Sequence, residues 1–359
     1  MLAEINRGNA VVPDAGRQET TGWASRFQFV PAEVMTRLRT RIVGQEEALA
    51  VIEAMLTLVK ADLGDPRRPL HIALFLGPTG VGKTEVVRAL AEAIHGSADA
   101  CCRIDMNTLA QDHYAAALTG APPGYVGSKE GVTLLDVDLV QGSFGRPGIV
   151  LFDEVEKAGR EVLRALLNVF DHGRLTLSAG ARTIDFRNTL VFMTSNLAAR
   201  EIHRYEDGLQ QGWRRLLRRS ADTRRRRIDE IADAALQRTF DPEFINRIDS
   251  VTLFNGIGPE QHDALLALEL ARLNTRLARS GWAVELDPAA RAWLKRRGFD
   301  RRFGARAVAR AFRQDVVCVL AATLLHASDA QAVTCTPRRL LGRVAPDGLR
   351  FHPEDVPVS

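Results

Sequence analysis

The stretch Gly77-Pro78-Thr79-Gly80-Val81-Gly82-Lys83-Thr84 constrains this chain more than any other. It matches G-x-x-x-x-G-K-[ST] in full, with the apolar run Ile72–Leu76 before it and a helical pattern, Lys83–Ile94, after it. Strand, glycine-rich turn and helix start commit the region to one supersecondary unit, a P-loop. The glycines let backbone N–H groups face phosphate oxygens, and the helix N-terminus adds partial positive charge. In such a loop Lys83 reaches the β- and γ-phosphates and Thr84 ligates Mg²⁺. Only five of the 48 basic residues are lysines, so chance seldom produces this match.

A second signal follows some 70 residues later, where Ile149–Phe152 runs into Asp153-Glu154. A buried strand delivers both acids at its C-terminal edge, where nucleotides bind in open α/β sheets. Asp153 is expected to hold Mg²⁺, largely through water, and Glu154 to orient and deprotonate an attacking water. The short apolar runs Cys102–Asp105, Thr189–Thr194 and Val251–Phe254 also read as buried strands. Helices are expected at Gln45–Ala61, Glu161–Phe170 and within 197–240, with a short one after Pro31 carrying Val34, Met35 and Leu38 on one face. Alternating strands and helices predict an α/β fold, a parallel sheet covered on both faces.

After Gly256 the pattern turns mostly helical, at Pro259–Ser280, Pro288–Arg297 and Ala305–Leu325, with strand candidates at Val333 and Leu340–Val344. The expected division is an N-terminal arm and short helix (1–40), a large nucleotide-binding domain (41–255), a smaller helical domain (256–341) and a tail (342–359). Trp23, Phe27 and Phe29 are placed to pin the arm to the body. A length of 359 residues suits about two domains at ~100–200 residues each.

Composition excludes other classes. At 46% hydrophobic and 26% charged residues, wholesale disorder is out. The longest apolar run, Val316–Leu325, is about half of the ~20 residues a membrane span needs. Met1–Asp14 lacks the apolar core of a secretory signal, so the expected compartment is cytoplasmic. Four cysteines are too few and badly spaced for a zinc site, and Cys101 and Cys102 read as small buried hydrophobes. Arg214, Arg215, Arg218, Arg219 and Arg224–Arg227 cluster in one stretch. This is either a solvated helix face or a dock for an acidic partner or nucleic acid. Trp213 alone does not supply the aromatic interleaving of base stacking.

Several motifs taken together carry a resemblance: Arg41-Ile42-Val43-Gly44-Gln45, the P-loop, Gly120-Ala121-Pro122-Pro123-Gly124-Tyr125-Val126-Gly127, Leu151–Ala158, Asp185-Phe186-Arg187-Asn188-Thr189, Met193-Thr194-Ser195-Asn196, Phe244–Asp249 and Gly304-Ala305-Arg306. Over about residues 41–340 the chain resembles the C-terminal AAA+ ATPase module of the Clp/Hsp100 unfoldases, especially the ClpB and ClpV type. The resemblance implies ATP hydrolysis with Mg²⁺, coupled to unfolding or remodelling of polypeptide in a homo-hexameric ring. It assigns Ile42 and Val43 to the adenine pocket and Asn196 to sensor 1. Arg247 matches an arginine finger that acts on the neighbouring subunit's nucleotide, and Arg306 matches sensor 2 on the small domain. Tyr125 and Val126 fall in the axial pore loop that grips polypeptide through sequence-tolerant aromatic contacts.

The chain also departs from that family. Ser128-Lys129-Glu130-Gly131-Val132 replaces an aromatic and acidic stretch after the pore tyrosine. The second pore loop, Gly173–Thr183, has no acid in its middle, Leu177–Ala181, and Gln141–Gly145 stands where a basic segment is usual. The family's N-terminal substrate domain, first ring and middle domain do not fit in this length, so a single ring is expected. Between Asn196 and Arg247 there is no Ile-Gly-Leu/Phe tripeptide, so docking to a ClpP-like peptidase is not expected. The alternative is a nucleotide-gated scaffold or adaptor of weak hydrolysis, binding a partner or DNA through residues 214–227. The full set Glu154, Asn196, Arg247 and Arg306 argues against it.

Overall fold

The computed structural model describes residues 24–110, 134–177, 183–210, 221–298, 304–328, 338–346 and 348–353. The large domain is built on β1 (His71–Leu76), β2 (Cys102–Asp105), β3 (Gly148–Asp153), β6 (Thr189–Ser195) and β7 (Ser250–Leu253), in the order β2-β3-β6-β1-β7. Every neighbouring pair is parallel. β4 (Arg174–Thr176) and β5 (Thr183–Asp185) form a separate antiparallel hairpin. β1, β3 and β6 are buried along their whole length, which is why they read as unbroken apolar runs.

Alternate residues of these strands feed two cores. Ile72, Leu74, Val150, Phe152, Val191 and Met193 face the helix Arg160–His172. Ala73, Phe75, Ile149, Leu151, Leu190 and Phe192 face the helices Pro31–Arg39, Glu46–Ala61 and Lys83–His95. Parallel pairing brings the strand ends to one edge: Asp105 stands opposite Asp153, and Leu76 opposite Ser195. Leu76 leads into the P-loop, so the motif residues converge there.

Two packing features lie across the expected divisions. Phe27 and Phe29 are buried in the same core as Val34, Met35 and Leu38, so residues 24–40 are part of the large domain and not an appended arm. Arg26 reinforces this by donating to Asn188 Oδ1 at 2.7 Å and to Asp62 at 3.0 Å. The smaller domain likewise extends past 341. β8 (Trp282–Leu286) pairs in parallel with β9 (Arg338–Ala345), and β9 pairs antiparallel with β10 (Gly348–Pro353). Leu349 and Phe351 of β10 are buried against Leu340, Val316 and Phe312. The Asp347-Gly348 pair between two alternating runs is the hairpin signal that marks this continuation. The helix expected over Ala305–Leu325 runs as Gly304–Phe312, a π-turn at Arg313–Val317 and Cys318–Ser328.

Among the described residues no helix is long and apolar enough to cross a membrane. Cys102 is buried in the large-domain core, and burial pushes its thiol up, away from the reactive thiolate.

Candidate active site

A cleft of about 480 Å³ opens where the sheet edge meets the small domain. The P-loop shapes its floor. Gly77, Gly80 and Gly82 have φ of 133°, 77° and 108°, a region that side chains disfavour. A Cβ on Gly77 would stand 2.5 Å from the Phe254 carbonyl oxygen, so the residue is fixed by space as well. Gly82 immediately precedes the helix Lys83–His95, and a Cβ there would meet nothing within 4 Å. The helix N-terminus therefore faces open space, a cradle suited to an anion.

Lys83 is buried, and its ammonium donates to the carbonyls of Gly77 (2.7 Å) and Pro78 (2.8 Å) and to Asn196 Oδ1 (3.0 Å). Burial pushes its pKa down to about 8, against the opposing pull of Glu156 and Asp153. Asp153 is 8% exposed at the end of β3. The Thr194 hydroxyl donates to Asp153 Oδ1 and accepts the Glu154 N–H at 3.0 Å, clamping the acidic pair to β6. Thr84 Oγ1 lies 3.4 and 3.5 Å from the two Asp153 oxygens. Arg103 of β2 donates to Asp153 Oδ2 from Nε at 3.1 Å and from Nη2 at 2.6 Å.

Glu154 adopts φ 59°, sparsely populated for a residue with a side chain. Its carboxylate accepts from Asn107 Nδ2 at 2.7 Å and from Asn196 Nδ2 at 3.1 Å. Asn196 thus bridges Lys83 and Glu154, while its own N–H donates to Glu156 Oε1 at 3.1 Å. The other Glu156 oxygen is buried without a hydrogen-bond partner among the described residues. Five residues singled out from the sequence, Lys83, Thr84, Asp153, Glu154 and Asn196, are therefore brought together.

Ile42 and Val43 line the same cleft with Leu265 and Val308 of the small domain. Gln45 is buried and fixes this end: its amide donates to the carbonyls of Val81 (3.3 Å) and Asn255 (2.9 Å) and accepts the Asn255 N–H at 2.9 Å. Arg306 also lines the cleft and opposes the charge on Lys83. Its helix is docked onto the P-loop, since the Ala305 N–H donates to the Gly80 carbonyl at 2.9 Å. Gly304, at φ 50°, permits the approach, because a Cβ there would stand 2.9 Å from that same oxygen. Arg272 adds a second tie, to Glu85 at 2.6 Å.

Arg247 is placed elsewhere. It is ion-paired with Asp171, lies 3.9 Å from Glu243 and does not line the cleft. Arg68 donates to its carbonyl at 2.9 Å. Tyr125, Val126 and residues 128–132 lie outside the described residues, as do Arg214–Arg219, Trp213, Trp23, Val333 and the middle of the second pore loop after Leu177. Leu177 itself is buried. The rest of the arginine cluster is largely neutralised within the chain: Arg224 pairs with Glu206, Arg225 with Glu47 and Asp229, and Arg227 with Glu230. The sequence reading missed Gln45, Arg103 and Asn107 as site residues.

A phosphate cradle, a paired lysine and a strand-borne acid pair bridged by an asparagine define the cleft of a P-loop nucleoside triphosphatase. The chain belongs to the AAA family of ATPases and binds and hydrolyses ATP. Residues 68–251 match the AAA domain (Cdc48 subfamily), and residues 257–335 match the C-terminal D2-small domain of ClpB protein. The ATP-dependent protease ATP-binding subunit-like protein AmiB of Pseudomonas aeruginosa is 54% identical over 335 residues, 93% of this chain and 90% of that protein. An ATP-dependent protease ATP-binding subunit-like protein of Rhodococcus erythropolis is 43% identical over 345 residues, 96% of each chain. The chaperone protein ClpB of Vibrio cholerae is 40% identical over 289 residues, 80% of this chain but 31% of the ClpB length. The Clp/Hsp100 resemblance and the AAA+ fold with its small domain are thereby established.

Proposed function

We propose that this ATPase works with Mg²⁺ as a homo-hexameric ring that remodels polypeptide. The observation that carries this reading is the placement of Arg247. A motif arginine held by Asp171 outside its own cleft has its use at a neighbour's cleft, and that requires an assembly. The similarity to ClpB over 80% of the chain supports a Clp/Hsp100-type ring and a polypeptide substrate. That similarity also supports a cytoplasmic site of action. Two relatives carry a protease subunit in their names, yet the interval 197–246 holds Gly208-Leu209 and no Ile-Gly-Leu/Phe. We read the ATPase as working without a ClpP-like peptidase. The internal pairing of Arg224, Arg225 and Arg227 weakens the scaffold alternative and its DNA-binding role.

The residues fit Mg²⁺: the hydroxyl of Thr84 and the carboxylate of Asp153 converge beside the open cradle, an all-oxygen set of the kind that ion prefers. When bound, the ion neutralises charge on the phosphate oxygens. Lys83 exchanges carbonyl partners for phosphate oxygens. Glu154 takes the proton of the attacking water on a carboxylate oxygen, and Asn196 holds that carboxylate in register with Lys83. Arg306 and the neighbour's finger cation supply further positive charge. Ile42 and Val43 give the base an apolar wall.

The lowered pKa of Lys83 gives a pH dependence with a definite sign. Phosphate contact restores the charged form, so binding above about pH 8 takes up a proton, and ATP affinity falls as pH rises through that value. Calorimetry in two buffers of different ionisation enthalpy should show uptake at about pH 9 and little at about pH 7. Equal enthalpies in both buffers at the higher pH exclude this role for Lys83.

Threading is tested at the pore. Tyr125→Ala is expected to keep basal ATPase activity and to lose client remodelling, because the loop touches polypeptide and not nucleotide. Charge reversal within 214–227 should leave remodelling intact. Full remodelling by Tyr125→Ala overturns threading. Loss of partner binding in the charge-reversal variant alone favours the scaffold.

A further inference from the structure

We propose that Arg103 is a resident counter-cation for Asp153, competing with the divalent ion for that carboxylate and yielding it when metal and nucleotide enter. The proposal rests on the reading of Asp153 and Thr84 as the Mg²⁺ site. Asp153 is 8% exposed, and a buried carboxylate without a cationic partner is costly. Lys83 spends its three donors on two carbonyls and Asn196. Thr194 offers a neutral hydroxyl, and Thr84 sits at the limit of hydrogen-bond distance. Among the described residues, Arg103 makes the one ion pair of Asp153, through both Nε and Nη2 to Oδ2.

Arg103 is also built to leave. Its side chain is 50% exposed, it projects from β2 at the edge of the sheet, and the hydrogen bonds of its guanidinium among the described residues are those two alone. Among the described residues, nothing but Asp153 holds its head group in place. A divalent ion held by Thr84 and Asp153 would supply that neutralising charge in its place. The released guanidinium remains in the cleft that it lines, beside a newly arrived polyanion. Arg103 thus keeps the metal site folded while it is empty of nucleotide, and it sets the metal concentration at which the site fills.

The test uses the full chain with Arg103→Met, Arg103→Lys and Asp153→Asn. The first readout is thermal unfolding in EDTA without nucleotide and again with saturating Mg·ADP. Arg103→Met should melt below wild type in EDTA, and the gap should shrink by about half or more once Mg·ADP replaces the missing cation. The second readout is a Mg²⁺ titration of bound fluorescent ADP. Half-saturation should fall about tenfold in Arg103→Met, the equivalent of one lost charge-assisted pair, and less in Arg103→Lys. If Arg103→Met does not fold, Arg103→Lys carries the same titration. A melting gap equal in both conditions, with unmoved half-saturation, makes Arg103 a plain salt bridge and overturns the proposal. A raised half-saturation overturns it too, by making Arg103 a helper of metal binding. If Asp153→Asn leaves the Mg²⁺ dependence unchanged, the metal-site reading falls and takes the proposal with it. A shift in Asp153→Asn with none in the Arg103 variants sinks the counter-cation role alone.

Discussion

Glu154→Gln should bind ATP almost as tightly as wild type and hydrolyse it at least ~10²-fold more slowly, the lower bound for loss of a positioned general base. The groups around it stay in place: Lys83 keeps its carbonyl partners, and Thr84 and Asp153 keep theirs. The amide matches the carboxylate in shape and can follow the same backbone at φ 59°. It differs in two ways. It cannot take a proton from water, and it accepts on one oxygen, whereas Glu154 accepts from both Asn107 and Asn196. One asparagine amide must turn, a small structural cost beside the lost base. Steady-state phosphate release and equilibrium binding of labelled ATP measure the two quantities separately. Near-wild-type turnover would falsify the assignment of Glu154 as the base.

Arg247→Ala should abolish turnover while leaving each subunit's own nucleotide bound. Fingers supplied in trans to other nucleoside triphosphatases are worth ~10³–10⁵ in rate. Arg247 does not line its own cleft, so its removal leaves the phosphate cradle untouched. Asp171 loses its guanidinium, and that surface pair is part-exposed on both sides, so stability changes little. The sharper result comes from mixing. Lys83→Ala subunits hold an intact Arg247, and Arg247→Ala subunits hold an intact cradle. Mixed rings therefore contain interfaces with both parts, and some ATPase activity should return when two inactive proteins are combined. Absence of recovery where mixed rings demonstrably form rules out action across the boundary.

The features legible in the sequence are those whose physics is local. The P-loop glycines, the strand running into Asp153-Glu154 and the Thr194-Ser195-Asn196 strand end each announce themselves within a few residues. β1, β3 and β6 stood out because burial on both faces demands unbroken apolar runs. The rest of the site depends on pairs far apart in the chain. Arg103 meets Asp153 across 50 positions, and Gln45 meets Asn255 across 210. A charged residue on an edge strand has no local mark that distinguishes the partner of a buried acid from a solvated arginine. Phe27 and Phe29 show a related limit. Apolar residues near a terminus carry no periodicity, and only the core they enter gives them a domain. β10 was obscured by its proline ends, although Asp347-Gly348 held the cue.

The bond from Ala305 to the Gly80 carbonyl joins the nucleotide loop to the small domain by backbone alone. No side chain takes part in it, yet a Cβ at 304 would press on the same oxygen and strain the joint. Loop and small domain therefore meet directly at the peptide level. Torque on the small domain reaches the cradle as displacement of one peptide unit, and a change in the cradle turns the domain in return. A small domain tied at that peptide is expected to link its own placement to affinity for the triphosphate, so load borne by it should act as a competitor or an ally of the nucleotide.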